Sequence, residues 1–154
     1  MKKLTDRYTM GFEPWALVLF AAIMLPNILW GLFPAPNDVL RAESVTPAID
    51  TVGMVFQAAM IFCLALICRT DRKPLRLCGY TWAVLGCVLV YWLCWSSYYM
   101  GLVHTTLLLA MTLVPCAAFI LFALERRNGI ALIPAVGFTL CHVYFAFANF
   151  LMPG

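Results

Sequence analysis

His142 is the one ionisable side chain near the middle of an apolar stretch of this sequence, and its neutral imidazole donates one hydrogen bond while accepting another. Other groups that are costly in hydrocarbon lie in neighbouring stretches: the carboxamides of Asn27, Gln57 and Asn149, the phenol of Tyr91 and the indole of Trp95. Each needs a partner at depth, so each is a candidate for function. Their chemistry is recognition. Amides, a phenol, an indole and an imidazole present donors, acceptors and flat apolar faces to a lipophilic or aromatic small molecule. Asn27, Gln57, Tyr91, Trp95, His142 and Asn149 are therefore the candidate ligand-binding set. A lone histidine is first a structural residue, bonded to a neighbouring helix. Contact with a ligand, or proton acceptance from outside, is its second role.

Catalytic chemistry has little to build on. The chain shows no nucleotide loop, zincin motif, serine elbow or paired carboxylates, and Glu13, Asp50 and Glu125 are boundary residues of different apolar stretches. An intramembrane enzyme with His142 as base would require a polar partner within hydrogen-bond reach. Metal ligation lacks a second histidine or carboxylate at the depth of His142, since His104 lies near a surface. Seven cysteines form no C-x-x-C pair and read as small apolar packing residues. No catalytic residue, metal or cofactor is assigned, and no nucleic acid is expected as a partner.

The elements that position these groups follow from composition. Of 154 residues 64% are hydrophobic and only 11% charged, too few charges to cover a water-soluble globule, so lipid must be the solvent. Apolar runs of about 20 residues, the length that crosses a bilayer, fall at 14–33, 47–68, 78–100, 103–124 and 129–151. The expectation is an all-α, polytopic transmembrane helical bundle of five spans, forming a single transmembrane domain over 1–154. The first run exceeds a signal-peptide core and has no small-x-small cleavage pattern, so it is expected to stay as a helix. Gly101 is the natural residue for the tight turn between the third and fourth spans.

Charge sets the orientation. Lys2, Lys3, Arg7, Arg69, Arg72, Lys73, Arg76, Arg126 and Arg127 are nine of the ten cations, and five spans put them all on one face. Cations are retained in the cytoplasm, so the chain is expected to be N-in and C-out. The polar and aromatic groups then concentrate in the outer half. The loop 34–46 carries turn chemistry: Pro34 and Pro36 end the first helix, Asn37 is placed to cap a short turn through Arg41, and Arg41 and Asp50 are placed to pair. Thr46 followed by Pro47 reads as an N-cap with proline at the first helical position.

Helical spacing gathers Ala135, Thr139, His142, Ala146 and Asn149 on one stripe of the fifth span. Asp50, Gly53 and Gln57 share a stripe of the second, and Tyr91, Trp95 and Tyr98 one of the third. Such small and polar stripes face other helices in packed membrane bundles. Pro26, Pro115 and Pro134 interrupt the backbone ladders of three spans, which frees carbonyls and opens room for a cavity near Asn27.

In length and span number the chain is similar to the tryptophan-rich sensory and translocator family, which binds porphyrins and other lipophilic ligands. That family's Trp and Pro pattern is not found on residues 30–36 or on the third span. Through Pro26-Asn27-Ile28-Leu29-Trp30, Pro34-Ala35-Pro36-Asn37-Asp38 and Glu43-Ser44-Val45-Thr46-Pro47, the chain resembles small uncharacterised bacterial multi-span membrane proteins. That resemblance implies the plasma (inner) membrane and no particular activity. The function expected is small-molecule binding or transport through an outward-facing polar and aromatic cavity, with a homodimer able to complete it. The alternative is a non-catalytic membrane subunit or assembly partner of another membrane protein.

Overall fold

A computed structural model of the chain describes residues 7–72 and 74–151. Pro14 and Pro47 occupy first turns, where a missing N–H costs nothing, and begin α1 (Pro14–Leu32) and α2 (Pro47–Leu66). Three more helices follow: α3 (Gly79–Tyr99), α4 (Thr105–Glu125) and α5 (Gly129–Ala146), the last continuing through a π-helical turn at Phe147–Leu151. All five are long and apolar enough to cross a membrane. The 19 residues of α1 rise about 28 Å, close to the thickness of a bilayer's hydrocarbon core. This is an all-α bundle of five candidate membrane spans.

Around the bundle the neighbours run α1, α3, α4, α5, α2 and back to α1, and α4 is the most enclosed helix. Two seams are tight. Between α2 and α5 the backbones approach where Gly53 faces Cys141 and Gly137 lies against the ring of Phe56. Helices α3 and α4 form a hairpin whose turn has Gly101 at φ +86°, a conformation that disfavours a Cβ. α1 meets α3 more loosely than α4 does, leaving a groove between them.

One end of the bundle is cationic and contains structure that hydrophobic periodicity does not reveal. The second span does not continue to residue 68: α2 stops at Leu66, and β2 (Ile67–Arg69) pairs antiparallel with β1 (Tyr8–Met10). Pairing satisfies peptide groups that would otherwise face the edge of the hydrocarbon unbonded. Asn128 caps α5 by accepting from the Ala131 amide at 3.1 Å, and its amino group donates to the carbonyls of Cys63 and Ile67 at 3.0 and 2.7 Å. Beside it the buried Glu13 carboxylate is paired with the Arg126 guanidinium. Arg7, Arg69, Arg72, Arg76, Arg126 and Arg127 all belong to this end, while Arg41 lies in the 34–46 loop at the other. Lys2, Lys3 and Lys73 lie outside the described residues.

The 34–46 loop is ordered differently from its sequence reading. Arg41 pairs with Asp38 at 2.7 Å and not with Asp50, because only three residues and one turn of 3₁₀ helix (Val39–Arg41) separate them. Asp38 takes the cap position of that turn, and Asn37 instead donates across to the Gly101 carbonyl at 3.1 Å. Thr46 precedes α2 as expected, but its hydroxyl donates to the Asp50 carboxylate at 3.1 Å and makes no capping bond to the backbone.

Candidate functional site

Beneath the 34–46 loop, all five helices converge on a cavity of about 270 Å³. Asn27 comes from α1, Gln57 from α2, Tyr91 and Trp95 from α3 and His142 from α5, so five of the six expected site residues line one space. The buried stripe of α3 explains part of this: Tyr91, Trp95 and Tyr98 follow helical steps and are all buried. Their rings meet edge-on, Tyr91 to Trp95 with centroids 6.4 Å apart and Trp95 to Tyr98 at 5.8 Å.

Hydrogen bonding in the cavity is unevenly satisfied. Asn27 Nδ2 donates to the Tyr91 hydroxyl at 2.7 Å and to the Ile23 carbonyl at 2.9 Å, so α1 and α3 are fixed together at this level. Among the described residues Gln57 Nε2 reaches only the Met24 sulfur, at 3.8 Å. The His142 ring rests on Phe138, with centroids 4.0 Å apart, and no hydrogen bond joins it to Asp50 or Gln57. Trp95 Nε1 is buried with no hydrogen-bond partner among the described residues. The same indole interacts with the Tyr91 hydroxyl, and its nitrogen presents no surface to the cavity.

Asn149 does not line this cavity. Its side chain ties the π-helical turn to the loop, accepting from the Val45 amide at 3.0 Å and donating to the Thr46 hydroxyl at 3.2 Å and the Phe145 carbonyl at 2.9 Å. Gln57 and His142 also border a second recess of about 190 Å³, shared with Asp50, Gly53 and Cys141. The polar stripes of α2 and α5 thus meet there face to face.

Sequence reasoning passed over the contribution of α4, because its lining is apolar or already bonded. Met111, Pro115 and Phe119 recur every four residues along one wall, and the Thr112 hydroxyl donates to the Leu108 carbonyl at 2.8 Å. That four-residue period was the available signal. Leu40 from the loop and Phe150 from the π-helical turn complete the lining and could be assigned only once the chain was folded.

The freed carbonyl near Asn27 is not an open acceptor. Pro26 lacks the N–H that would bond the carbonyl four residues back, and that carbonyl, Ala22 O, accepts instead from Trp92 Nε1 at 2.8 Å. Trp92 is thus a second tie between α1 and α3, while Tyr144 is exposed and lies outside the cavity.

Electrostatics concentrate in the roof. Asp38 Oδ1 accepts from Trp30 Nε1 at 2.8 Å and from the Tyr98 hydroxyl at 2.9 Å, and its Oδ2 from Arg41 Nε at 2.7 Å. Arg41 also donates to the Trp30 carbonyl at 2.6 Å and lies over the Trp30 ring, 4.8 Å from its centroid. The Leu40 amide donates to Tyr98 Oη at 3.2 Å, so one carboxylate and one phenol hold the loop on the bundle. Burial alone would raise the Asp38 pKa, but the bonds from Trp30, Tyr98 and Arg41, with the charge of Arg41, outweigh it and hold the carboxyl below its ordinary 3.8.

No family model, curated protein or solved structure matches this chain. Function must therefore be argued from the site. Among the described residues no group of three or more His, Cys, Asp or Glu gathers to hold a metal ion.

Proposed function

We propose that this protein binds a lipophilic or aromatic small molecule in the cavity beneath the 34–46 loop, as a receptor or as one step of transport. The observation that carries the reading is the convergence of Asn27, Gln57, Tyr91, Trp95 and His142, from four helices, on one cavity to which all five helices contribute. Flat apolar walls from Trp95, Phe119 and Phe138 favour a planar guest, and the Gln57 carboxamide, bonded only weakly to the Met24 sulfur, favours one with a hydrogen-bonding group. The volume, about 270 Å³, lies just below the roughly 300–1,000 Å³ usual for drug-sized ligands, so the guest is small. The gathering of the cations at the opposite end supports a cytoplasmic N-terminus and a loop facing outward across a plasma membrane.

A panel of planar heteroaromatic molecules, each with one carbonyl or ring-nitrogen acceptor, tests this in detergent-purified protein. Binding should quench Trp95 emission, and Gln57→Leu should weaken affinity about tenfold while preserving the thermal midpoint, the loss of one buried hydrogen bond to the guest. Equal binding of acceptor-bearing and acceptor-free analogues, or no saturable binding from the panel, would remove the reading. The competing reading, a subunit of a larger membrane assembly, predicts a stoichiometric foreign protein after gentle solubilisation.

A further inference from the structure

A second site lies at the cationic end of the bundle, away from the cavity. The groove between α1 and α3 is about 300 Å³, apolar, and walled by Trp15, Val18 and Ala22 on one side and Leu85 and Val88 on the other. Ala22, whose carbonyl accepts from Trp92, marks its upper end. From Trp15 to Ala22 the helix rises about 10 Å, roughly two thirds of one leaflet's hydrocarbon depth. At its lower end the groove meets a cleft of about 530 Å³ lined by five arginines, and Glu125 borders both spaces.

The charges there are unequally spent. Arg69 is held by Asp71 at 2.6 Å, Arg126 pairs with Glu13, and Arg72 donates to the Phe12 carbonyl at 2.8 Å. Arg76 makes no side-chain hydrogen bond or ion pair among the described residues, and Arg127 has only a longer-range attraction to Asp71. Glu125 Oε2 is buried without a hydrogen-bond partner among the described residues, with Arg126 Nη1 at 3.7 Å. An apolar slot two thirds of a leaflet deep, opening onto two cations without a hydrogen-bonded partner among the described residues, has the chemistry of a site for an anionic phospholipid.

We propose that the α1–α3 groove and the arginine cleft together form a site for one anionic phospholipid, phosphatidylglycerol being the simplest. One acyl chain occupies the groove, and the phosphate pairs with Arg76 and Arg127. Lipid bound this way fills the gap at the loosest seam of the bundle. The site does not depend on what occupies the cavity beneath the loop.

Native mass spectrometry of the delipidated full chain, titrated with phosphatidylglycerol, phosphatidylcholine or inorganic phosphate, tests it. Phosphatidylglycerol should bind at one site in preference to phosphatidylcholine. The pair Arg76→Gln and Arg127→Gln should weaken it roughly 30-fold at low salt, the magnitude expected for two cations at a membrane surface. Val18→Trp, at an exposed position, should fill the groove and weaken both lipids with the thermal midpoint unchanged. Equal affinity for the two lipids, full binding by the arginine variant, or full binding by Val18→Trp would overturn the proposal. Displacement of the lipid by millimolar phosphate would do so as well, revealing a free-anion site.

Discussion

Replacing Asp38 by alanine should unlatch the roof of the cavity. The carboxylate accepts from two partly buried donors, Trp30 at 2.8 Å and Tyr98 at 2.9 Å, and pairs with Arg41 at 2.7 Å. Hydrogen bonds to a charged group are worth about 1.5–3 kcal/mol each, and an ion pair with a solvated arginine about 0–1 kcal/mol. The Arg41 side chain is 43% exposed against 11% for Asp38, so Arg41 is counted at the low end. The sum is about 3–6 kcal/mol, which corresponds to a loop opening constant raised by roughly 150- to 25,000-fold. Amide hydrogen exchange across 34–46, above all at the Leu40 amide held by Tyr98 Oη, reads this directly. Asp38→Asn keeps an acceptor for Trp30 and Tyr98 but turns a donor toward Arg41, and should give a smaller effect, about 1–2 kcal/mol. Because the folded Asp38 pKa lies below 3.8, its contribution is fully present above that value and is lost only as pH falls through the lower one. Exchange in the loop, corrected for intrinsic rates, should stay level from neutral pH down to about 5 and rise only below about 4. Wild-type protection of 34–46 in a folded Asp38→Ala protein would show that the carboxylate does not hold the loop.

Three further substitutions test how the bundle is assembled. Trp92→Phe should cost about 1–2 kcal/mol by leaving the Ala22 carbonyl unpaired, and the same change in a Pro26→Ala background should cost much less, since the new amide restores the ladder bond; additive effects in a thermal-unfolding cycle would reject the pairing. Asn128→Ala removes the α5 cap and its two bonds to α2 and β2, and should destabilise by about 2 kcal/mol, with the β1–β2 end showing the largest rise in exchange. Gly137→Ala would set a Cβ 2.7 Å from the Phe56 ring and should lower stability by about 1–3 kcal/mol, and Phe56→Leu in the same chain should recover part of it.

Much of the architecture was already written in the order of residues. Five apolar runs of bilayer length specify five spans, because a backbone in hydrocarbon must bond to itself within each segment, and the described helices begin and end within a few residues of those runs. Gly101 in the turn and Pro47 at the head of α2 were legible for the same local reason: each backbone position accepts few residue types. Costly polar groups pointed to Asn27, Gln57, Tyr91, Trp95 and His142, since hydrocarbon penalises each one wherever it faces. What local rules do not contain is which faces meet. The order of helices around the bundle decided that five of those residues share a cavity while Asn149 is spent fastening the loop. It also brought in the apolar wall of α4, gave Arg41 to Asp38, paired Tyr8–Met10 with Ile67–Arg69, and set the α1–α3 groove above the arginines. These are contacts between segments far apart in the chain, chosen by packing and by mutual satisfaction of buried polar groups. A reading of one segment at a time has no access to them.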